Sequence, residues 1–199
     1  MTLESTAGYA QEAPDLLKLY ESISPEALHR PVWHLIPTEP SRLLDIGAGT
    51  GRDAAHFAAM GHRVLAVEPV DEMREGGRKL HSSPRIEWLA DTLPALARVR
   101  ARGELFDVVL ATAVWMHLDE GQRAEAMPAV ASLVRPGGVL LLSLRHGPIP
   151  EGRRMFEVTA AETIALAGRE GLQCLVNTVT PSTQANNPDV TWSRLAFRK

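Results

Sequence analysis

Short apolar runs recur along the chain at Arg42–Ile46, Arg63–Val67, Arg85–Ala90, Phe106–Ala111 and Val139–Leu144, and most gaps between them are long enough to hold a helix. Strands spaced in this way do not pair through tight turns. Each crosses over and returns parallel to a neighbour, with helices laid on both faces of one sheet. Burial on both faces explains why "VLLLSL" is apolar at almost every step rather than at every second one. A chain of 199 residues has interior enough for one large domain.

Local signals mark where elements begin and end. Ser24-Pro25 reads as the cap and first-turn pair of a helix over Glu26–Leu35, inside a helical preamble (residues 1–40) that belongs to the same domain as residues 41–199. Asp119 with Gln122, and Thr159 with Glu162, have the spacing at which a cap and its third helical residue satisfy each other's amides. Gly171 is placed to end the helix that Thr159 starts. Pro128 lies inside the helix that Asp119 starts and predicts a kink or a late restart. Arg135-Pro-Gly-Gly138 reads as a turn into the strand that follows. Beyond Gly171 the runs "LQCLVNTVT" and "VTWSRLAFRK", joined by "PSTQANNPD", read as a hairpin closing one edge. The expectation is an α/β fold: a doubly wound, mostly parallel seven-stranded sheet with a C-terminal antiparallel hairpin.

Composition excludes several classes. Cys174 is alone, so no internal disulfide forms, and no Cys and His cluster has metal-ligand spacing. A reducing, cytoplasmic setting is the natural expectation, with no metal. The start lacks a basic segment and an apolar core, and the run Val139–Leu144 is too short to cross a bilayer. A net charge of −3 offers no broad attraction to a polyanion, and the one dense basic run, Arg98 to Arg102, reads as a solvated helix end.

The stretch after the first strand carries the chemistry. Gly47, Gly49 and Gly51 alternate in "LLDIGAGTG", a helix-like segment follows, and Glu68 ends the second strand. In open α/β sheets ligands gather at the carboxyl ends of the strands, where this loop lies, and Glu68 is placed to accept from both hydroxyls of a ribose. A dinucleotide fingerprint needs a small residue where this chain has Arg52. The pattern here is D-x-G-x-G-x-G from Asp45, and a carboxylate beside the loop suits a cationic ligand and opposes a pyrophosphate.

On these residues the chain resembles the class I S-adenosylmethionine-dependent methyltransferases. The likeness covers about Arg42 to Leu144, through "LLDIGAGTG", "VEP", Ala90-Asp91, "FDVVLATAVWMHL" and "LVRPGGVLLLSL", and is weak outside it. It implies a Rossmann-like fold and S-adenosyl-L-methionine as cofactor. Asp45, Gly47, Ala48, Gly49 and Gly51 would hold the methionine portion, Glu68 and Pro69 the ribose edge, and Asp91, Thr92 and Leu93 the border of adenine. Ala111 and Thr112 would offer backbone groups to the methionine end. Met73 either covers the adenine face or packs in the core, and Tyr20 either closes over the cofactor carboxylate or is simply a half-buried tyrosine.

A sulfonium methyl is already activated, so such an enzyme chiefly positions the acceptor for in-line displacement and excludes water; a base is needed when the acceptor keeps its proton until late. His117 is either that base or a packing residue. Arg145 and His146 follow the fifth strand and either face substrate or form local pairs. With Arg153 and Arg154 they suit an anionic acceptor, the alternative being pairing with Glu151 and Glu157. The segment Ala111-Thr-Ala-Val114 lacks the Asn/Asp-Pro-Pro-aromatic run of DNA-base methyltransferases, so DNA is not the expected partner. The reading is methyl transfer to a small-molecule acceptor by a monomer or homodimer; an RNA or protein methyltransferase, or a non-catalytic cofactor-binding domain, are the alternatives.

Overall fold

In the computed structural model, which describes residues 6–183 and 188–199, helices α1 (Tyr9–Glu21) and α2 (Pro25–His29) precede an alternating core. The core runs β1 (Arg42–Ile46), α3 (Arg52–Ala59), β2 (Arg63–Val67), α4 (Asp71–Leu80), β3 (Ile86–Leu89), α5 (Ala97–Ala101), β4 (Phe106–Thr112), α6 (Glu120–Leu133), β5 (Val134–His146) and α7 (Ala160–Arg169), then β6 (Gln173–Pro181) and β7 (Thr191–Arg198). One seven-stranded sheet results, in the order β3-β2-β1-β4-β5-β7-β6. All pairings from β3 to β5 are parallel, and β7 joins β5 and β6 antiparallel. The chain order therefore reverses between β1 and β4, which opens a crevice at their carboxyl ends. The hairpin is present, and the centre of its connection, residues 184–187, lies outside the described residues.

The pleat sorts the core into two layers. Leu44, Ile46, Val109, Ala111, Leu140, Leu142, Leu195 and Phe197 face α5, α6 and α7. Leu43, Val64, Ala66, Val108, Leu110, Leu141 and Ala196 face α3 and the segment holding Val32 and Ile36. Burial on both faces is what the continuous apolar runs demand. Helix α1 packs on α4 through Ala13, Leu16, Val70 and Met73, with Tyr9 and Tyr20 against them. A side chain at Gly76 would strike a Leu17 methyl at 2.6 Å, so this glycine leaves room on α4 for the α1 leucine.

Three expectations change in the structure. The helix expected over Glu26–Leu35 divides into α2 and a 3-10 segment, Arg30–Leu35, because Pro31 has no amide to extend an α-helical ladder. Arg135-Pro-Gly-Gly138 is a bulge inside β5 rather than a turn before it. Phe106 pairs with Val134 while Val108 pairs with Val139, and the extra residues are absorbed where Gly137 takes φ 80°. The last residue seals the bulge: Gly137 N donates to Lys199 O at 2.8 Å and Lys199 N to Gly138 O at 3.1 Å. Helix α6 continues unbroken through Pro128, with no restart.

The helix ends follow their signals more closely. Asp119 and Gln122 form the full reciprocal box. Thr159 accepts from Glu162 N at 3.1 Å, but the Glu162 carboxylate turns away to grip Arg123, with Nε–Oε1 2.7 Å and Nη2–Oε2 3.0 Å. Gly171, at φ 75°, closes α7, with Leu172 N donating to Ala167 O. The basic run from Arg98 is surface structure: Arg98 and Arg100 are exposed, and Arg102 pairs with Glu87 and Glu104.

Arg123 is 3% exposed, and its fork holds α6 to α7 through Glu162 while Nη1 donates to Leu118 O at 2.6 Å. Removing the acid strands a buried cation with one carbonyl. Glu162→Ala should therefore cost about 3 kcal/mol in urea unfolding, against about 1 kcal/mol for Thr159→Ala, which loses only a cap. Equal losses would show that the pair contributes no more than the cap.

Candidate active site

Along each central strand the apolar face toward α3 turns polar at the carboxyl end. Leu43 is followed on that face by Asp45, Leu110 by Thr112, and Leu141 by Ser143 and Arg145. The antiparallel partner of Ser143 is Arg194, so β7 delivers a guanidinium to the same face. Above this edge lies a cavity of about 460 Å³. Its floor is the loop Gly47–Thr50, the acids Glu68 and Asp91 stand on one side, and Arg145, Trp192 and Arg194 on the other. The preamble roofs it, through Tyr9, Leu16, Tyr20 and Leu28 among others.

The glycine loop is shaped by close approach. A side chain at Gly47 would meet Val114 Cγ1 at 2.2 Å, and one at Gly51 would meet the Trp88 ring at 2.6 Å; both residues hold positive φ. Gly47 thus brings the loop against the end of β4. Gly51 starts α3 and packs away from the cavity, which it does not line. Glu68 is 6% exposed and already committed: Oε2 accepts from Gly49 N at 2.8 Å and Oε1 from Val70 N at 2.9 Å. Burial pushes its carboxyl up, against those two amides. It clamps the loop to the start of α4, and each oxygen keeps a lone pair for a further donor. Asp91 is built similarly, accepting from Thr92 N and Val99 N at 2.9 Å each.

Asp45 is buried beside them, and its Oδ2 meets no hydrogen-bond partner among the described residues. Burial and the nearby charge of Asp53 push its carboxyl well above the usual range. Asp53 has the opposite fate. Burial opposes its charge, but His29 Nε2 and Arg52 Nε, each at 2.8 Å, hold its carboxyl well below the ordinary range. A ligand with a cationic end placed over Asp45 would supply what the protein does not.

His117, 6% exposed, lines the cavity. Its Nδ1 lies 2.8 Å from Arg154 O, and a carbonyl only accepts, so Nδ1 carries the hydrogen and Nε2 is left as an acceptor. The Tyr9 hydroxyl donates to it at 3.0 Å, under the Arg153 guanidinium at 4.2 Å from the Tyr9 ring centroid. Burial lowers the His117 pKa and raises that of Tyr9, so both are neutral at ordinary pH.

Of the sequence candidates, Tyr20, Asp45, Gly47, Ala48, Gly49, Glu68, Pro69, Met73, Asp91, Thr92, Leu93, Thr112, His117 and Arg145 line this cavity. Met73 is both wall and core, fully buried against α1. Three lie elsewhere. Gly51 has the packing role above; Ala111 is buried against the α6 face; and His146 binds Ser193 Oγ at 2.8 Å. Arg145 and His146 separate because β5 runs on through both, and successive strand residues point to opposite faces. Arg153 pairs with Glu12, at 2.9 and 2.7 Å, rather than with Glu151 or Glu157. Tyr9, Arg52, Asp53, Trp192 and Arg194 were not legible in the sequence; only their convergence on the cavity singles them out.

Residues 43–138 match a family described as a methyltransferase domain. An uncharacterised methyltransferase of Mycobacterium tuberculosis is 34% identical over 120 residues, 60% of this chain and 44% of that protein. A ubiquinone biosynthesis O-methyltransferase of Sinorhizobium medicae is 37% identical over 110 residues, 54% of this chain and 42% of that one. The chain thus spans less than half the length of these relatives. Among solved structures, the Burkholderia thailandensis 1,6-didemethyltoxoflavin-N1-methyltransferase, with 1,6-didemethyltoxoflavin and S-adenosylhomocysteine bound, superposes with a TM-score of 0.75 at 22% identity, covering 96% of this chain and 85% of its own. At that identity the match shows the fold.

The orphaned Asp45 carboxylate yields a stability prediction. Because its pKa is raised on folding, the native state binds more protons between the ordinary carboxylate range and the raised value, so the cost grows as pH rises through that window and is complete above it. Asp45→Asn should raise the melting temperature of the free protein at neutral pH and converge with wild type at low pH. A variant less stable than wild type at neutral pH contradicts this account of Asp45.

Proposed function

We propose that the chain is a class I S-adenosylmethionine-dependent methyltransferase that transfers the methyl group of S-adenosylmethionine to a small-molecule acceptor, a reading supported by the match of residues 43–138 to a methyltransferase domain. The observation that carries the reading is the roofed cavity at the carboxyl edge, with an unsatisfied carboxylate on its floor and a histidine held as a proton acceptor in its wall. A pocket covered by α1 suits a compact acceptor better than a polymer strand. The ubiquinone-biosynthesis and didemethyltoxoflavin relatives carry small-molecule names, which supports the same choice.

The residues present fit the cofactor. The Asp45 carboxylate, which lines the cavity, would face the cationic end, and Gly47, with no side chain, would let the loop backbone lie close. Glu68 accepts from the ribose hydroxyls with its remaining lone pairs, and Asp91, Thr92 and Leu93 border the adenine. Tyr20 and Met73 close the roof side. When bound, S-adenosylmethionine supplies a methyl group already activated by its sulfonium charge.

The protein's own task is to place the acceptor in line, keep water out and receive a proton where one must leave. His117 Nε2 is fixed as the receiving atom by the Nδ1–H bond to Arg154 O. Tyr9 lines the cavity beside His117 and holds its Nε2, so a proton from the acceptor would go to the Tyr9 oxygen as the Tyr9 proton moves to His117 Nε2. The lowered His117 pKa keeps Nε2 available at neutral pH and somewhat below.

Calorimetry should give micromolar dissociation constants for S-adenosylmethionine and S-adenosylhomocysteine and none for NAD; tight NAD binding without either would end this reading. Asp45→Asn should weaken S-adenosylhomocysteine by about tenfold, or about 1.4 kcal/mol, and leave adenosine unchanged. Transfer of labelled methyl to a metabolite extract tests the chemistry. For the acceptor so found, His117→Gln and Tyr9→Phe should each lower kcat by about 100-fold with cofactor affinity intact. Rates within about twofold of wild type, given the scale a general base supplies, would leave this pair as packing only.

A further inference from the structure

Four arginines line the cavity, and two of them are neutralised inside it. Arg52 Nε holds Asp53 Oδ1 at 2.8 Å, and Arg153 makes a fork with Glu12. Arg145 and Arg194 have no carboxylate partner among the described residues. Arg145 Nη1 rests on Pro148 O at 2.7 Å. Arg194 is only 4% exposed on β7, with Nε on Thr180 Oγ1 at 3.3 Å and its guanidinium 5.2 Å from the Trp192 ring centroid. Its two Nη groups meet no acceptor among the described residues.

Register brings these two cations together. Ser143 pairs with Arg194 and Arg145 with Trp192, so Arg145 and Arg194 are diagonal neighbours on one face of the β5–β7 ladder, within reach of a single small group. The nearest charges felt at Arg194 are Asp53 and Arg52, which are bonded to each other and largely cancel there. Burial lowers the Arg194 pKa to about 10, the mark of a cation held without a counter-ion, and burial lowers Arg145 as well. An apolar residue in that place on β7 would carry no such cost.

The cavity is also polarised. Asp45, Glu68 and Asp91 stand at the ends of β1, β2 and β3, whereas the two unpaired arginines stand on β5 and β7. At about 4.8 Å per strand, β2 and β7 are about 19 Å apart, room for a cofactor on one side and an acceptor on the other.

We propose that Arg194 and Arg145 form a subsite for an acidic group, a carboxylate or a phosphate, on the methyl acceptor. Two forks on adjacent strands grip such a group from two directions, and Trp192 supplies an apolar wall for the body that bears it. This rests on the methyltransferase reading for the acceptor's role, but the binding chemistry belongs to the arginines alone.

The test uses matched probes on the protein saturated with S-adenosylhomocysteine: benzoate against benzamide, and phenyl phosphate against phenol, followed by calorimetry. At least one anion should bind at least about tenfold tighter than its neutral partner, and the tighter of the two anions tells carboxylate from phosphate. Arg194→Met and Arg145→Met should each weaken the anion by about tenfold while S-adenosylhomocysteine stays within about twofold, and Arg194→Lys should retain part of the affinity. Neutral probes binding as well as anions, no anion binding at all, or folded Met variants with wild-type anion affinity would each overturn the proposal. Should Arg194→Met fail to fold, the wild-type pairs and Arg145→Met decide. Should S-adenosylhomocysteine itself not bind, the methyltransferase reading fails separately, and the same pairs on the free protein still judge the subsite.

Discussion

Asp53 sits buried in the first turn of α3 and accepts from His29 Nε2 and Arg52 Nε, each at 2.8 Å. His29 ends α2, and Arg52 also reaches Tyr20 O in α1, at 3.3 Å, so this carboxylate links the preamble to the helix that follows the glycine loop. Tyr9–His117 and Glu12–Arg153 tie α1 to the far side of the cavity, whereas toward α3 and α4 it has this link, its small apolar cluster with α4 and His81–Glu21. On that side the roof of the cavity depends on Asp53. So does the state of the floor, because the charge on Asp53 adds to burial in pushing the Asp45 carboxyl up, and Asp45 Oδ2 has no hydrogen-bond partner among the described residues.

A second regularity follows from the pleat. The face toward α3 is apolar through the body of β1, β4 and β5 and polar only in its last residues, so the same alternation that builds the core also builds the site. On the other face Ile46 and Ala111 stay buried to the ends of β1 and β4, and β5 turns polar only at His146, which is taken up by Ser193 of β7. Function is therefore confined to one side of the carboxyl edge. This is also why Arg145 belongs to the cavity and His146 does not.

The parallel core was legible because its signals are local. Apolar runs, glycines and the Asp119–Gln122 cap each specify their own stretch of chain, and β1 and β2 span the ranges those runs predict. That Gly47, Ala48, Gly49 and Glu68 stand at one cavity was legible for the same reason, since a strand, a turn and a following acid are read in one window. What stayed hidden is non-local. Nothing near Asp53 distinguishes it from an ordinary first-turn acid; its meaning comes from His29, twenty-four positions away. Tyr9 acquires a role only through His117, at a separation of 108. The bulge in β5 was misread because its Pro-Gly-Gly looks like a turn, and only the docking of Lys199 against Gly137 and Gly138 keeps it in the sheet.

Arg194 is the sharpest case, and the reason is topological. A hairpin at the end of a chain can join a sheet with either strand inward, and the two arrangements place different side chains against β5. Here β7 is inserted between β5 and β6, so the last run of the chain pairs with β5 and the earlier run becomes the edge. Composition favours that order, because β7 is buried from Ser193 through Phe197 whereas β6 alternates exposed and half-buried along its whole length. Within that apolar stretch a single arginine falls opposite Ser143, at the level where the neighbouring strands have already turned polar. Had β6 taken the inner place, Arg194 would stand on an edge in solvent, and its charge would have little to act on. The insertion makes it part of the cavity wall, where a low-dielectric surround strengthens its pull on any acid that enters.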